Sequence, residues 1–209
     1  MRINLEHLMT IDRFWEIIEQ SRQDKSEPMW DAQPKMLAKI LEQLTVPEIQ
    51  SFINHYDHWS FEGKKNEIVA AAYLIEGGFG DDDSFRVMPW LINQGREYYE
   101  KVQRDPQYLE NHDPAGGLVD ESVRSRAMEV LFNKSGAREL PEEEDDPDIP
   151  PFISRQNDIT EACDEILFPK LFPRLWARYG LENYGEEMAA KIERLSQNVD
   201  IEELRKNKT

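Results

Sequence analysis

Three consecutive carboxylates, Asp81, Asp82 and Asp83, lie in the run EGGFGDDDSFRVMPWLINQGREYY between Glu76 and Tyr99. Two glycines (Gly77 and Gly78), an arginine (Arg86) and a tryptophan (Trp90) stand close by in the chain. Carboxylate oxygens suit Mg²⁺ or Ca²⁺, and carboxylates beside an arginine and an aromatic ring could support metal-assisted or acid–base chemistry. Adjacent residues splay apart on a helix or turn, however, whereas a calcium loop takes its ligands from every second position. The spacing therefore favours a joint between helices. Gly77 or Gly78 ends one helix, one aspartate caps the next, and its neighbours complement the positive end of the helix dipole. Pro89 is the discriminating residue. A helix beginning at Asp83 would carry it in the interior and kink there. A helix beginning at Met88 would hold it as the favoured first residue and leave 82–87 as a separate turn, with the aspartates no longer explained by capping.

Other chemistry-bearing groups carry less. His55 and His58 are three apart with Asp57 between them, and His112 stands beside Asp113. Two such histidines and a remote third can hold zinc, but HExxH is absent and nothing in the sequence makes the groups converge. Lys170, Arg174 and Arg178 fall at four-residue intervals on one helical face, a pattern that can bind phosphate or an acidic partner. In so acidic a chain the expected partners are internal carboxylates such as Glu142 to Asp146. Cys163 is the single cysteine, which excludes an intrachain disulfide and a CxxC metal site. Phosphate loops, dinucleotide fingerprints and GxSxG elbows are missing from the sequence. No metal centre and no cofactor is expected.

The elements that would position these residues read as helices. Ile11, Phe14, Trp15 and Ile18 share a face behind the capping residue Thr10. Leu37, Ile40, Leu41 and Leu44 repeat the pattern. Thr45 and Glu48 have capping-box spacing ahead of the stripe Ile49, Phe52, Ile53 and Tyr56, and IVAAAYLI is apolar all round, as in an enclosed helix. A Tyr-rich charged helix runs to about Gln103, and ESVRSRAMEVLFNKS forms another that Gly136 stops. Residues 140–152, with four prolines and six carboxylates, read as an acidic linker. Phe168, Phe172, Leu175, Trp176 and Tyr179 form a later aromatic helix capped by Gly180, which must dock back because that much aromatic surface does not stay in water. The expected fold is all-α: an irregular helical bundle as a single domain over residues 1–180, followed by a polar helical extension over 181–209.

Forty-two acidic residues against 25 basic ones give a net charge of −17. Such a body repels nucleic acid and anionic membranes unless one face is locally basic, and its charge either serves solubility, the plainer reading, or attracts a basic protein. The longest apolar run, Ile68 to Ile75, is too short to cross a bilayer, and the N-terminus lacks the pattern of a secretory signal, so a cytoplasmic protein is expected.

The FW pair in the first helix, AAAYLI leading into GGFGDDDSF, then WLINQGREYY and later FPRLWARYG resemble a bacterial family known as domain of unknown function 4240. The resemblance spans roughly residues 10–180. Gly77, Gly78, Asp81, Asp82, Trp90, Leu91, Ile92 and Gly95 match its pattern, while Phe79, Ser84 and Met88 stand where a Cys, an aromatic and an Arg are usual. It implies a helical fold and draws attention to this stretch, but it supplies no activity. The functional expectation is a non-enzymatic interaction or regulatory module, of the kind that neutralises a basic partner as an immunity protein does. The rival is an enzyme working at Asp81 to Asp83.

Overall fold

The computed structural model describes residues 9–23, 28–112, 117–136 and 164–200, and of Asp81 only the backbone. The linker 140–152, Asp113, Cys163 and the basic tail lie outside the described residues. Every regular element within them is helical, as the periodicity requires.

Helix α1 (Ile11–Ser21) opens where Thr10 Oγ1 accepts the N–H of Arg13 at 3.2 Å, and it buries Phe14, Trp15, Ile17 and Ile18. Helix α2 (Met29–Leu41) buries Leu37 and Leu41. Helix α3 (Val46–Glu62) starts at the Thr45–Glu48 capping box, whose carboxylate accepts from the Thr45 N–H at 2.7 Å and from its hydroxyl at 2.6 Å. Helix α4 (Asn66–Glu76) is buried on nearly all sides, as its apolar composition demands. Then come the one-turn α5 (Asp81–Ser84), α6 (Val87–Asn93), α7 (Arg96–Arg104), a 3₁₀ segment (Pro106–Asn111) and α8 (Ser122–Ser135). The C-terminal part contains two short helices, α9 (Phe168–Leu171) and α10 (Pro173–Leu175), a π-turn (Trp176–Gly180), and α11 (Leu181–Ser196), which breaks at Gly185.

The chain divides into two compact units. The first draws on residues 1–63, 88–96 and 120–157. In it α8 packs on α2 and α3, and α1 on α2. Its core centres on Phe14, whose ring lies 5.2 Å from that of Phe52 and 5.1 Å from that of Trp15.

The second unit draws on residues 64–87, 97–119 and 158–209. Helix α4 packs there against the 3₁₀ segment, α10, the π-turn and α11. The aromatic segment docks on α4 as expected, with Phe168 fully buried 6.2 Å from the Tyr73 ring. Gly180 departs from expectation. It is no C-cap, because its φ of −59° continues the helix into α11. A side chain at this position would meet the Trp176 ring within 2.7–3.0 Å, so the glycine makes room for that indole. Among the described residues no helix is long and apolar enough to cross a membrane.

Candidate functional site

The stretch that the sequence singles out is divided between the two units: residues up to Val87 and 97–99 belong to the second and 88–96 to the first. Within the second unit the glycine pair ends α4. Gly77 adopts the left-handed conformation (φ 71°), and its N–H and that of Gly78 both return to the Tyr73 carbonyl. Asn183 completes the cap by donating its amide to the Leu74 and Ile75 carbonyls at 2.6 and 3.2 Å. Its Cγ would lie 3.1 Å from any Cβ at position 77.

The aspartates do not cap. Gly80 occupies the N-cap of α5, and Asp81 to Asp83 form the first three residues of that single turn. Helix α6 starts at Val87, so Pro89 falls in its first turn, where a missing N–H is harmless. This is close to the arrangement in which the aspartates stand apart from the helix that carries Pro89. Asp83 makes a long ion pair with Arg86 (3.4 Å) in which both side chains are partly exposed, and Asp82 is exposed. Among the described residues no three His, Cys, Asp or Glu side chains gather as metal ligands would.

Within the first unit, residues 88–96 are held by core packing and buried polar groups. Trp90, Leu91 and Ile92 face the core, and Asn93, at the end of α6, is fully buried. Its side-chain oxygen accepts from the Tyr56 hydroxyl at 2.8 Å, its amide donates to Asp120 at 3.0 Å, and its carbonyl accepts from Gln33 at 3.2 Å. Gln33 also donates to Ser21 Oγ, and Tyr56 lies 3.0 Å from the Pro89 carbonyl. Burial, reinforced by the charges of Asp120 and Asp57, pushes the Tyr56 hydroxyl well above its ordinary pKa, so it stays a donor. Beside this network Arg124 grips Asp57 through two bonds of 2.6 and 2.8 Å. Gly95, at φ 90°, brings the chain against Glu19, which accepts the Arg96 N–H at 3.1 Å.

The remaining candidates are absorbed locally. His55 Nε2 donates to the Met9 carbonyl at 2.8 Å, His58 packs edge-on against Trp59, and His112 Nδ1 lies 2.8 Å from the Leu109 carbonyl. Of the basic stripe, Arg174 pairs with Asp105 (2.8 Å) and Glu110 (3.1 Å). Lys170 reaches the Val199 carbonyl and Arg178 the Glu110 carbonyl, both at 2.6 Å. The cations thus bind internal acceptors on and beside the 3₁₀ segment and just beyond α11, while the acidic linker lies outside the described residues.

A family model described as a protein of unknown function, DUF4240, matches residues 9–132, more than half of the chain. The chain belongs to this family. The match starts where the sequence resemblance does and contains the whole stretch from Glu76 to Tyr99, while FPRLWARYG lies beyond it. Searches of curated proteins and of solved structures returned no match. The family region also holds Gln33, Asn93, Asp120 and Arg124, which sequence reasoning passed over, and Tyr56 and Asp57, which it read only as part of a buried stripe and as the residue between two histidines. One signal was available: Asn93 closes an otherwise apolar run, and a polar residue at such a position must find partners.

Proposed function

We propose that this chain is a non-enzymatic interaction or regulatory module whose partner is a basic protein. The observation that carries the reading is the state of its charges. Even if every Lys and Arg were paired, 42 − 25 = 17 carboxylates would remain uncompensated. Among the described residues many cations are already engaged within the chain: Arg96 with Asp12, Arg124 with Asp57 and Arg174 with Asp105. Lys134 and Lys170 donate to backbone carbonyls. The surface therefore presents a negative field to solvent, which steers and selects positively charged partners. Two features of the family stretch favour this reading over chemistry at Asp81 to Asp83. Asp83 has an arginine rather than a convergent set of ligands beside it, in a long and partly exposed ion pair, and the segment following Val87 is held by core packing and buried hydrogen bonds.

The test is capture at low salt, about 50 mM, followed by identification of the retained proteins and remeasurement with the purified partner at rising salt. The reading expects a basic protein whose affinity falls steeply with ionic strength. Retention of nothing at low salt, or binding indifferent to salt, would count against it.

A further inference from the structure

Lys64 and Lys65 are adjacent in sequence, both in the second unit, yet their ammonium groups have different surroundings. Lys65 Nζ donates to the Gln103 carbonyl at 2.7 Å. Lys64 Nζ lies 4.3 Å from the centroid of the Phe85 ring, and among the described residues no oxygen accepts from it. Phe85 itself is 60 % exposed, so the amine sits beside a surface ring open to small molecules.

We propose that Lys64 is a site of covalent acylation: its ε-amine, set against the Phe85 ring without an oxygen acceptor, takes an acyl group from a small activated donor such as an acyl phosphate. The amine lone pair attacks the donor's carbonyl carbon and forms the N–C bond. The C–O bond to phosphate breaks, phosphate leaves with its electron pair, and the proton shed by nitrogen passes to phosphate or water. The product is a neutral amide, which removes one positive charge beside the stretch that carries Asp82 and Asp83.

Three other described lysines are tied down by oxygen acceptors, as Lys65 is. Lys101 is held by Glu97 at 2.6 Å and by the Tyr108 hydroxyl, an arrangement that raises its pKa and withholds the lone pair. Lys134 and Lys170 donate to carbonyls at helix ends. Each of these must break a charge-assisted hydrogen bond before it can react. Lys64 has a ring face in place of such a bond, and partial burial lowers its pKa, which enlarges the neutral, nucleophilic fraction at a given pH.

The experiment exposes the full chain to limiting acetyl phosphate and follows acetylation of Lys64 and Lys65 by fragment-ion mapping of the peptide that contains both. Lys64 is expected to acquire the group several-fold faster than Lys65, and its rate, which climbs with pH as the amine loses its proton, should begin that climb at a lower pH than the rate of Lys65. Equal rates, or a faster Lys65, would overturn the proposal. In Phe85→Ala, with helix content checked by circular dichroism, the lead of Lys64 should shrink towards parity as water reaches the ammonium. An undiminished lead would refute the role given to the ring, and the wild-type comparison stands even where that variant fails to fold.

Discussion

Replacing Tyr56 with Phe removes one oxygen from the interior of the first unit and little else. The Tyr56 side chain is fully buried, and its hydroxyl lies 2.8 Å from Asn93 Oδ1 and 3.0 Å from the Pro89 carbonyl. It has one proton to give, so the variant leaves the buried Asn93 oxygen without this donor. An orphaned buried acceptor costs about 1–3 kcal/mol, more than the net worth of an average hydrogen bond. For a chain of this length each kcal/mol lowers Tm by about 2–4 °C, so the expected fall is about 2–12 °C. Urea and thermal unfolding followed by helical circular dichroism would measure it. The loss should be coupled to position 93, so Tyr56→Phe combined with Asn93→Ala should cost less than the sum of the single changes. The pH dependence has a definite sign. Because the folded pKa of Tyr56 is raised, the favourable contribution of the neutral phenol is complete below the unfolded value of about 10 and is lost as pH rises beyond it. The gap between wild type and Tyr56→Phe should therefore hold constant near neutrality and narrow in alkali. A variant within about 0.5 kcal/mol of wild type, additive with Asn93→Ala, would refute the claim that this network fixes α6.

Gly95→Ala should cost at least about 1–3 kcal/mol, since φ of 90° disfavours any side chain and the new methyl would displace Glu19 from the Arg96 N–H; thermal unfolding reads this directly. Thr45→Ala should lose about 1 kcal/mol through the N-terminus of α3. Hydrogen bonds from Thr45 hold the Glu48 pKa below its usual value, so its contribution is present above the unfolded value of about 4.3 and fades as pH falls through the folded one. Glu48→Gln should accordingly destabilise at neutral pH and converge on wild type in acid, as judged by urea midpoints. Arg124→Met should cost on the order of 1 kcal/mol, the partial exposure of both groups limiting the effect, and a double-mutant cycle with Asp57→Asn should recover most of it as coupling.

Local signals read well from the sequence. Thr10, the Thr45–Glu48 box and the Gly77 stop each act within one helical turn, so residue type and spacing suffice to find them. Pro89 posed the choice between a helix start at Asp83 and one at Met88 without deciding it; α6 starts at Val87, and the aspartates, expected to cap, follow a glycine N-cap instead. What could not be read depends on partners far along the chain. Gln33 and Asn93 are 60 residues apart, Arg124 and Asp57 are 67, and Arg174 and Asp105 are 69. The four-residue interval of the basic stripe was visible, but which acceptors it met was not. Gly180 shows the same limit, since a glycine that ends an apolar face looks like a cap until the indole above it is seen.

Recognition through uncompensated negative charge, as proposed, is tested most directly by the dissociation constant of a purified complex with a captured partner, taken as a function of salt. Affinity should weaken steeply between about 50 and 300 mM salt, and the association rate should fall with it. A constant affinity across that range, or a neutral or acidic partner bound equally well, would contradict it.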